Sequence, residues 1–138
     1  FYVEKLMEEL AGGLPENVRM MAFLQRMDYA YAAADLIISR AGAGTISELC
    51  VVGKPVILVP SPNVAEDHQT KNAMALVNKE AALLVKDSEA KKDLIPAALD
   101  LLNEADRVAR LSENIKKLGK LNADVQIAEE VYKLINKI

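Results

Sequence analysis

A glycine turn between an apolar run and a helical run constrains the fold of this chain more than any other feature. The apolar run Leu36-Ile37-Ile38 leads into Arg40-Ala41-Gly42-Ala43-Gly44, and the helical run that follows stops at Gly53. This order predicts a buried strand, a tight turn and a helix start. We expect Gly42 and Gly44 to take positive φ and to let a ligand approach the backbone.

The start of this helix has the chemistry of an anion site. The first N–H groups of a helix lack partners within it and carry the positive end of its dipole, which suits phosphate or carbonyl oxygens. Glu48 follows about one turn later. Its carboxylate would repel a phosphate but could accept two hydrogen bonds from a diol such as ribose. A nucleotide held at residues 42–45 and by Glu48 is one interpretation; an ordinary turn whose small residues serve packing is the other.

The remaining pattern alternates strands and helices. Apolar runs predict four strands, at residues 18–23, 35–38, 54–60 and 81–85, and the periodicity of apolar residues predicts helices at 1–10, 28–34, 43–52, 68–78, 93–102, 105–118 and from 123 to the end. Such alternation predicts an α/β fold: a partial Rossmann-like parallel sheet of about four strands with flanking helices. Ligands bind such sheets outside the carboxyl ends of the strands, where residues 24–27, 41–45 and the loop at 61–69 would lie.

Local signals predict several helix ends. Gly12 and Gly13 should end the first helix, and Gly119 the sixth. Asp93 is a plausible N-cap, with Pro96 tolerated in the first turn that follows. Asn122 is the expected cap of the last helix.

Composition narrows the class of protein. A chain of 138 residues with 51% hydrophobic and 27% charged residues is expected to form a single globular domain over 1–138. Its net charge of −3 argues against a nucleic-acid partner. One cysteine, Cys50, and one histidine, His68, far apart in sequence, predict no metal site, and no cofactor is expected. Cys50 is best interpreted as a small buried hydrophobe in a reducing compartment.

Three motifs, taken in order, resemble the MurG transferases. They are Phe23-Leu24-Gln25-Arg26-Met27, then Arg-Ala-Gly-Ala-x-Thr-x-x-Glu ending at Glu48, then Asp-His-Gln-x-x-Asn-Ala ending at Ala73. The resemblance is strong over residues 18–85. It implies the C-terminal, donor-binding half of a GT-B glycosyltransferase, a hexosyltransferase that moves GlcNAc from UDP-GlcNAc to the lipid-linked muramyl-pentapeptide (lipid I) and so makes lipid II for peptidoglycan.

The resemblance also implies roles for the uridine diphosphate. Leu24 matches the position whose main chain reads the uracil edge, and Met27 would line the same pocket. Ala43, at the helix N-terminus, matches the position that meets the diphosphate. Glu48 matches the acid that holds the ribose hydroxyls, which agrees with its chemistry. The neighbouring Gly42, Gly44 and Thr45 complete the expected turn.

The sugar is expected at the third motif. His68 and Gln69 match the pair that contacts the GlcNAc hydroxyls, although the family often has glutamine in place of His68, which could instead be a surface histidine. Asn72 more simply supports the start of its helix than binds sugar. Arg40 could contact the ligand, fix the turn or pair with an acid. Other polar residues, Asp28, Asp35, Tyr29 and Tyr31, are interpreted as caps, surface charges or packing.

The resemblance also implies which domains of the family this chain lacks and whether it is active alone. The chain opens at Phe1 inside a helical pattern, so we expect a piece of a longer protein, without the acceptor domain and its proposed catalytic base. No catalytic residue is therefore assigned, and we expect this fragment alone to be inactive. Residues 18–23 would lack their usual neighbours and must repack beside residues 36–39, pair with another chain or form an exposed edge that favours self-association.

The expected location is peripheral, on the cytoplasmic face of the bacterial inner membrane. Two alternatives stay open. The chain could be the donor-binding domain of another UDP-sugar transferase, acting on dolichol or using UDP-galactose, or it could be a non-catalytic nucleotide-binding module.

Overall fold

A computed structural model describes residues 2–10, 13–62 and 67–136, which fall into two compact units, Phe1–Ala33 and Ala34–Ile138. The first unit holds helices α1 (Tyr2–Glu9) and α2 (Met27–Ala33), as the sequence predicts. Gly13 has φ +86° and donates its N–H to the Leu10 carbonyl at 2.8 Å. The predicted helix end at Gly12, the loop at 63–66 and the last two residues lie outside the described range.

The strand predicted at residues 18–23 is wrong. This segment contains no strand, and its apolar side chains are exposed: Val18 is 42%, Met21 57% and Phe23 80% exposed. Val18 instead closes a turn, donating its N–H to the Pro15 carbonyl at 2.9 Å. A strand forms only where a second strand satisfies its backbone groups, and no described strand pairs with these residues.

The second unit contains a three-stranded parallel sheet. Strands β1 (Ile37–Ser39), β2 (Val56–Leu58) and β3 (Leu83–Leu84) lie in the order β1-β2-β3, with Ile38 opposite Ile57 and Leu58 opposite Leu84. The other elements are helices α3 (Ala43–Val52), α4 (His68–Val77), α5 (Ala90–Leu102), α6 (Ala105–Lys116) and α7 (Ala123–Ile135). The α/β class with flanking helices is confirmed, with three strands in place of about four.

The core is built around β2. All three of its residues are fully buried, which fits the central strand of a parallel sheet covered on both faces. One hydrophobic cluster joins Ile57 and Val59 to Ala98 and Leu101 of α5 and Leu111 of α6. Helix α3 contacts α4 and α6, and α4 contacts β3.

Two predicted helix starts need correction. Helix α5 begins at Ala90, because a 3-10 turn (Asp87–Glu89) runs directly into it, so Asp93 is not its N-cap. Pro96 consequently lies in the second turn, on an exposed part of the helix where water can replace the missing donor. Asn122 precedes α7 as predicted, but its side chain makes no capping hydrogen bond.

Gly119 allows a close backbone contact between the end of α6 and α3. A Cβ atom at Gly119 would lie 2.8 Å from the carbonyl oxygen of Cys50. Cys50 is itself buried, at 5% exposure. The absence of a side chain at this position therefore lets the chain pass directly over the C-terminal turn of α3.

Candidate functional site

The first turn of α3 is exposed, although its glycines do not have the positive φ that the sequence predicts. Gly42 precedes the helix with φ −66° and ψ 146°, and Gly44 is not among the glycines with positive φ, so the prediction of positive φ at both is wrong. An extended residue before the helix already starts it, so the left-handed region is not required. A Cβ at Gly44 would meet nothing within 4 Å, and one at Gly42 only the Thr45 hydroxyl, at 3.6 Å. The glycines therefore keep backbone N–H groups accessible.

Gln69 joins this turn to the loop after β2. Its Oε1 accepts hydrogen bonds from the N–H of Ala41 at 3.2 Å and the N–H of Ser61 at 2.9 Å. Ala41 follows β1 closely, Ser61 follows β2, and Gln69 lies in the first turn of α4. One amide oxygen thus brings three segments together at the carboxyl edge of the sheet. This contact was not predicted, because the sequence pattern assigned Gln69 only to the sugar.

Asn72 supports the same turn. Its Nδ2 donates to the Ala41 carbonyl oxygen at 3.2 Å, so the two polar backbone groups of fully buried Ala41 are satisfied by two side chains of α4. Because Gln69 and Asn72 are three residues apart, they share a face of the helix. The prediction that Asn72 has a supporting role agrees with this contact, although it supports the turn after β1 and not only the start of α4.

Arg40 is held across the sheet edge. Its Nη1 donates to the carbonyl oxygens of Val59 at 3.2 Å and Pro60 at 3.4 Å, and it forms an ion pair with Asp87. These contacts correspond to the turn-fixing and acid-pairing interpretations of Arg40. Asp87 was missed by the sequence analysis; the available signal was its place two residues after Val85, at the carboxyl edge.

Glu48 and His68 are both exposed near this edge. Glu48 lies four residues after Gly44 on α3, so the two share a helix face. Within the described residues, the Glu48 carboxylate has no hydrogen bond or ion pair. His68 begins α4, directly after Asp67, whose φ of 55° is unusual for a residue other than glycine. Such backbone strain is often found at functional sites.

Leu24 and Met27, the predicted uracil residues, belong to the first unit, and each is 38% exposed. Between them, Arg26 pairs with Asp28, with Nη2 to Oδ2 at 2.6 Å, and its guanidinium lies 3.8 Å from the centroid of the Tyr29 ring. The hydrogen bond from Arg26 holds the pKa of the Asp28 carboxyl below its usual value. The contacts of Arg26 therefore order the start of α2.

Two cavities open beside the carboxyl edge. One of about 490 Å³ is lined by Pro60, Thr70, Met74 and Leu84, among others, and a smaller one of about 280 Å³ includes Arg40 and Val59. Asp87 lines both. The ion pair of Arg40 with Asp87 thus stands between two concave surfaces.

No group of three or more His, Cys, Asp or Glu side chains among the described residues could hold a metal ion. None of the helices in the described ranges has the length and apolar character needed to cross a membrane.

Comparison with known proteins gives consistent matches. Residues 2–131 match the glycosyltransferase family 28 C-terminal domain. Among curated proteins, the chain is 58% identical over 115 residues to the UDP-N-acetylglucosamine--N-acetylmuramyl-(pentapeptide) pyrophosphoryl-undecaprenol N-acetylglucosamine transferase of Parabacteroides distasonis, covering 83% of this chain and 31% of that protein. It is 60% identical over 124 residues to the protein of the same name from Bacteroides fragilis, covering 90% and 32%.

A solved structure matches as well. The crystal structure of Acinetobacter baumannii MurG superimposes with a TM-score of 0.76 at 29% identity, over 97% of this chain and 38% of that one. The chain therefore spans about a third of the length of the curated relatives it matches.

Proposed function

The chain belongs to the family of glycosyltransferase family 28 C-terminal domains, and from this premise we propose that it is the donor-binding part of a MurG-type enzyme. The donor is UDP-GlcNAc, and the reaction is an inverting transfer of GlcNAc to the lipid-linked muramyl-pentapeptide, lipid I, which yields lipid II. The acceptor-binding part belongs to the longer protein, peripheral on the cytoplasmic face of the inner membrane. The 138-residue chain alone is inactive.

The observation that carries this proposal is the bridge made by Gln69. Its Oε1 fixes the turn before α3 against the loop after β2. The accessible N-terminus of α3 and the start of α4 are thereby held at the edge where parallel sheets bind ligands. A ligand with a diphosphate and a sugar can meet both helix starts there.

The diphosphate is assigned to the first turn of α3. Gly42 carries no side chain to cap the helix, so the N–H groups of Ala43, Gly44 and Thr45 are available to oxygen atoms of a ligand. The positive end of the helix dipole adds to this attraction. During transfer, negative charge grows on the departing UDP, and N–H groups already in position stabilise it without reorganisation.

The ribose and the GlcNAc are assigned to further residues of the second unit. The exposed Glu48 carboxylate accepts hydrogen bonds from the ribose hydroxyls. The assignment of Leu24 and Met27, in the first unit, to the uracil stays a prediction. His68 and Gln69 contact the GlcNAc. Because Oε1 of Gln69 already accepts two backbone hydrogen bonds, this residue is left with its Nε2 donors for the sugar.

Donor binding by the chain tests the proposal. Saturation-transfer NMR with UDP-GlcNAc, UDP-galactose and UDP-glucose should show preferential contact to the N-acetyl group. Glu48→Gln should weaken UDP-GlcNAc binding by about 5- to 150-fold, as expected for loss of a charged acceptor worth about 1–3 kcal/mol. The matched control is Glu129→Gln, at an exposed position on α7.

Each outcome has a clear meaning. A preference for UDP-galactose would favour another lipid glycosyltransferase. Binding that Glu48→Gln and Glu129→Gln leave equally unchanged would favour a nucleotide module that does not use this helix. No binding of any UDP-sugar by the chain would contradict the proposed assignment of the donor to these residues.

A further inference from the structure

A second concave surface lies on the side of α3 that carries Ile46 and Cys50. It is a cavity of about 610 Å³ between α3, α4 and the segment that joins α6 to α7. Its size falls within the range of about 300–1,000 Å³ that is usual for small-molecule sites. Ile46 and Cys50 line it from α3.

The geometry of α3 separates the two surfaces. Ile46 and Cys50 are four residues apart and share a helix face. Glu48 lies two residues from each of them, and positions two apart on a helix point in nearly opposite directions. Ser47, next to Glu48, also lines the cavity, so the two surfaces are neighbours on α3, while Ile46 and Cys50 face away from Glu48.

Both apolar and basic side chains line the cavity. Leu76 and Leu118 join Ile46 and Cys50 as apolar lining, while Lys79, Lys117 and Lys120 supply three positive charges from two different segments. No acidic residue is among the described residues that line it. Lys117 shares its charge with Glu113, at 2.8 Å, whereas no ion pair of Lys79 or Lys120 is found in the described part of the chain.

The positive charge of this cavity lining contrasts with the net charge of the chain, which is −3. Charges of one sign gathered at a concave surface raise the local concentration of a ligand of opposite sign. Burial raises the pKa of the Cys50 thiol, and the ammonium group of Lys79 partly opposes this rise.

We propose that this cavity binds a phosphate ester with an apolar group, the phosphate at Lys79, Lys117 and Lys120 and the apolar group against Ile46, Leu76 and Leu118. Either a lipid headgroup or a soluble phosphorylated metabolite has this chemistry. The three lysines line the same cavity and supply the positive charge that a phosphate requires. An inorganic anion would use only part of the surface, because the apolar lining would remain in water.

Hexyl phosphate is the probe for the test, with inorganic phosphate and hexanol as its two halves. Amide NMR of the chain should show shifts at Gly119, Lys120 and Ala123 with hexyl phosphate, and binding at least tenfold weaker for either half. The double variant Lys79→Gln with Lys120→Gln should weaken hexyl phosphate binding by about tenfold or more, from loss of two charge-assisted contacts. The control is Lys91→Gln with Lys92→Gln, two exposed lysines on α5.

A second arm distinguishes the two sources. The chain is sedimented together with phosphatidylglycerol vesicles. If the Lys79/Lys120 double variant no longer cosediments and the Lys91/Lys92 control still does, the site binds a lipid headgroup. Hexyl phosphate binding without cosedimentation assigns it to a soluble ester. The proposal is overturned if hexyl phosphate shifts none of the three amides, or if both double variants bind it equally. UDP-GlcNAc binding should be the same in both, which separates this test from that of the donor site.

Discussion

Two apolar runs of this chain differ in whether they form a β-strand. Residues 37 and 38 belong to β1, which pairs with β2 in parallel, while residues 18–23 form no strand and Phe23 is 80% exposed. Residues 36–38 (Leu-Ile-Ile) contain a larger share of β-branched side chains than residues 18–23 (Val-Arg-Met-Met-Ala-Phe), which favours a strand. Pairing adds to this preference, because β1 has a neighbour that satisfies its backbone and residues 18–23 have none among the described strands.

The comparison shows that contacts between residues far apart in sequence hold the carboxyl edge of the sheet. Gln69 reaches Ala41 across 28 positions of sequence, and Arg40 reaches Asp87 across 47. These contacts give the second unit an ordered edge on which a ligand can be positioned. The segment at 18–24 makes no comparable contact among the described residues, so Leu24, the predicted uracil residue, lies in the less constrained region.

The largest effect should come from a core residue of β2. Ile57→Ala removes a fully buried side chain and should lower the free energy of unfolding by about 2–5 kcal/mol. Phe23→Ala should change it by no more than about 0.5 kcal/mol, since Phe23 lies largely in water. Urea denaturation followed by circular dichroism measures both. Equal losses of unfolding free energy in Ile57→Ala and Phe23→Ala would show that Phe23 is buried in solution. The two apolar runs would then not differ in burial.

The next largest effect is expected at Gln69, which bridges the turn before α3 and the loop after β2. Gln69→Ala leaves the N–H groups of Ala41 and Ser61 without their acceptor and should cost about 1–3 kcal/mol in free energy of unfolding. Amide hydrogen exchange should accelerate at these two residues in particular. Gln69→Glu keeps an acceptor oxygen and should retain most of the protection, while Gln25→Ala, in the exposed segment before α2, is the control. Unchanged exchange in Gln69→Ala would mean that another group holds the turn.

Substitutions of two glycines should have effects of opposite sign, neither of them larger than the effect of Gln69→Ala. Gly44→Ala places a methyl group in open space within α3 and should raise the free energy of unfolding by about 0.5–1 kcal/mol. If the first turn of α3 binds the diphosphate, the same substitution should weaken UDP-GlcNAc binding despite the more stable fold. Gly119→Ala should instead destabilise by about 1–3 kcal/mol, because its Cβ would overlap the Cys50 carbonyl. Unchanged donor affinity in Gly44→Ala would contradict the diphosphate assignment.

Local signals explain what could be predicted from sequence. The bounds of α3 at residues 43 and 52 follow from Gly42 before it and Gly53 after it, where φ is +71°. The buried strands follow from continuous apolar runs. By contrast, the position of Asp87 soon after β3 was the only available signal for it, because its role depends on Arg40 in a distant segment. The failed strand at 18–23 depends on a partner that no local pattern reveals. The start of α5 was missed because a 3-10 turn continues into the helix.

The smallest effect concerns the first unit and its pH dependence. Arg26 lowers the pKa of Asp28, so Asp28 stays ionised to a lower pH in the folded chain than in the unfolded one. Its contribution to stability is therefore present above the unfolded pKa, near 4, and is lost as pH falls through the lowered folded pKa. Carboxyl-carbon NMR should show a depressed titration midpoint for Asp28 that returns to the ordinary value in Arg26→Gln. Because both side chains are exposed, the free energy of unfolding should barely change in Arg26→Gln. If the Asp28 carboxyl of the unmodified chain titrates at its ordinary pKa, solvent and salt screen its ion pair with Arg26.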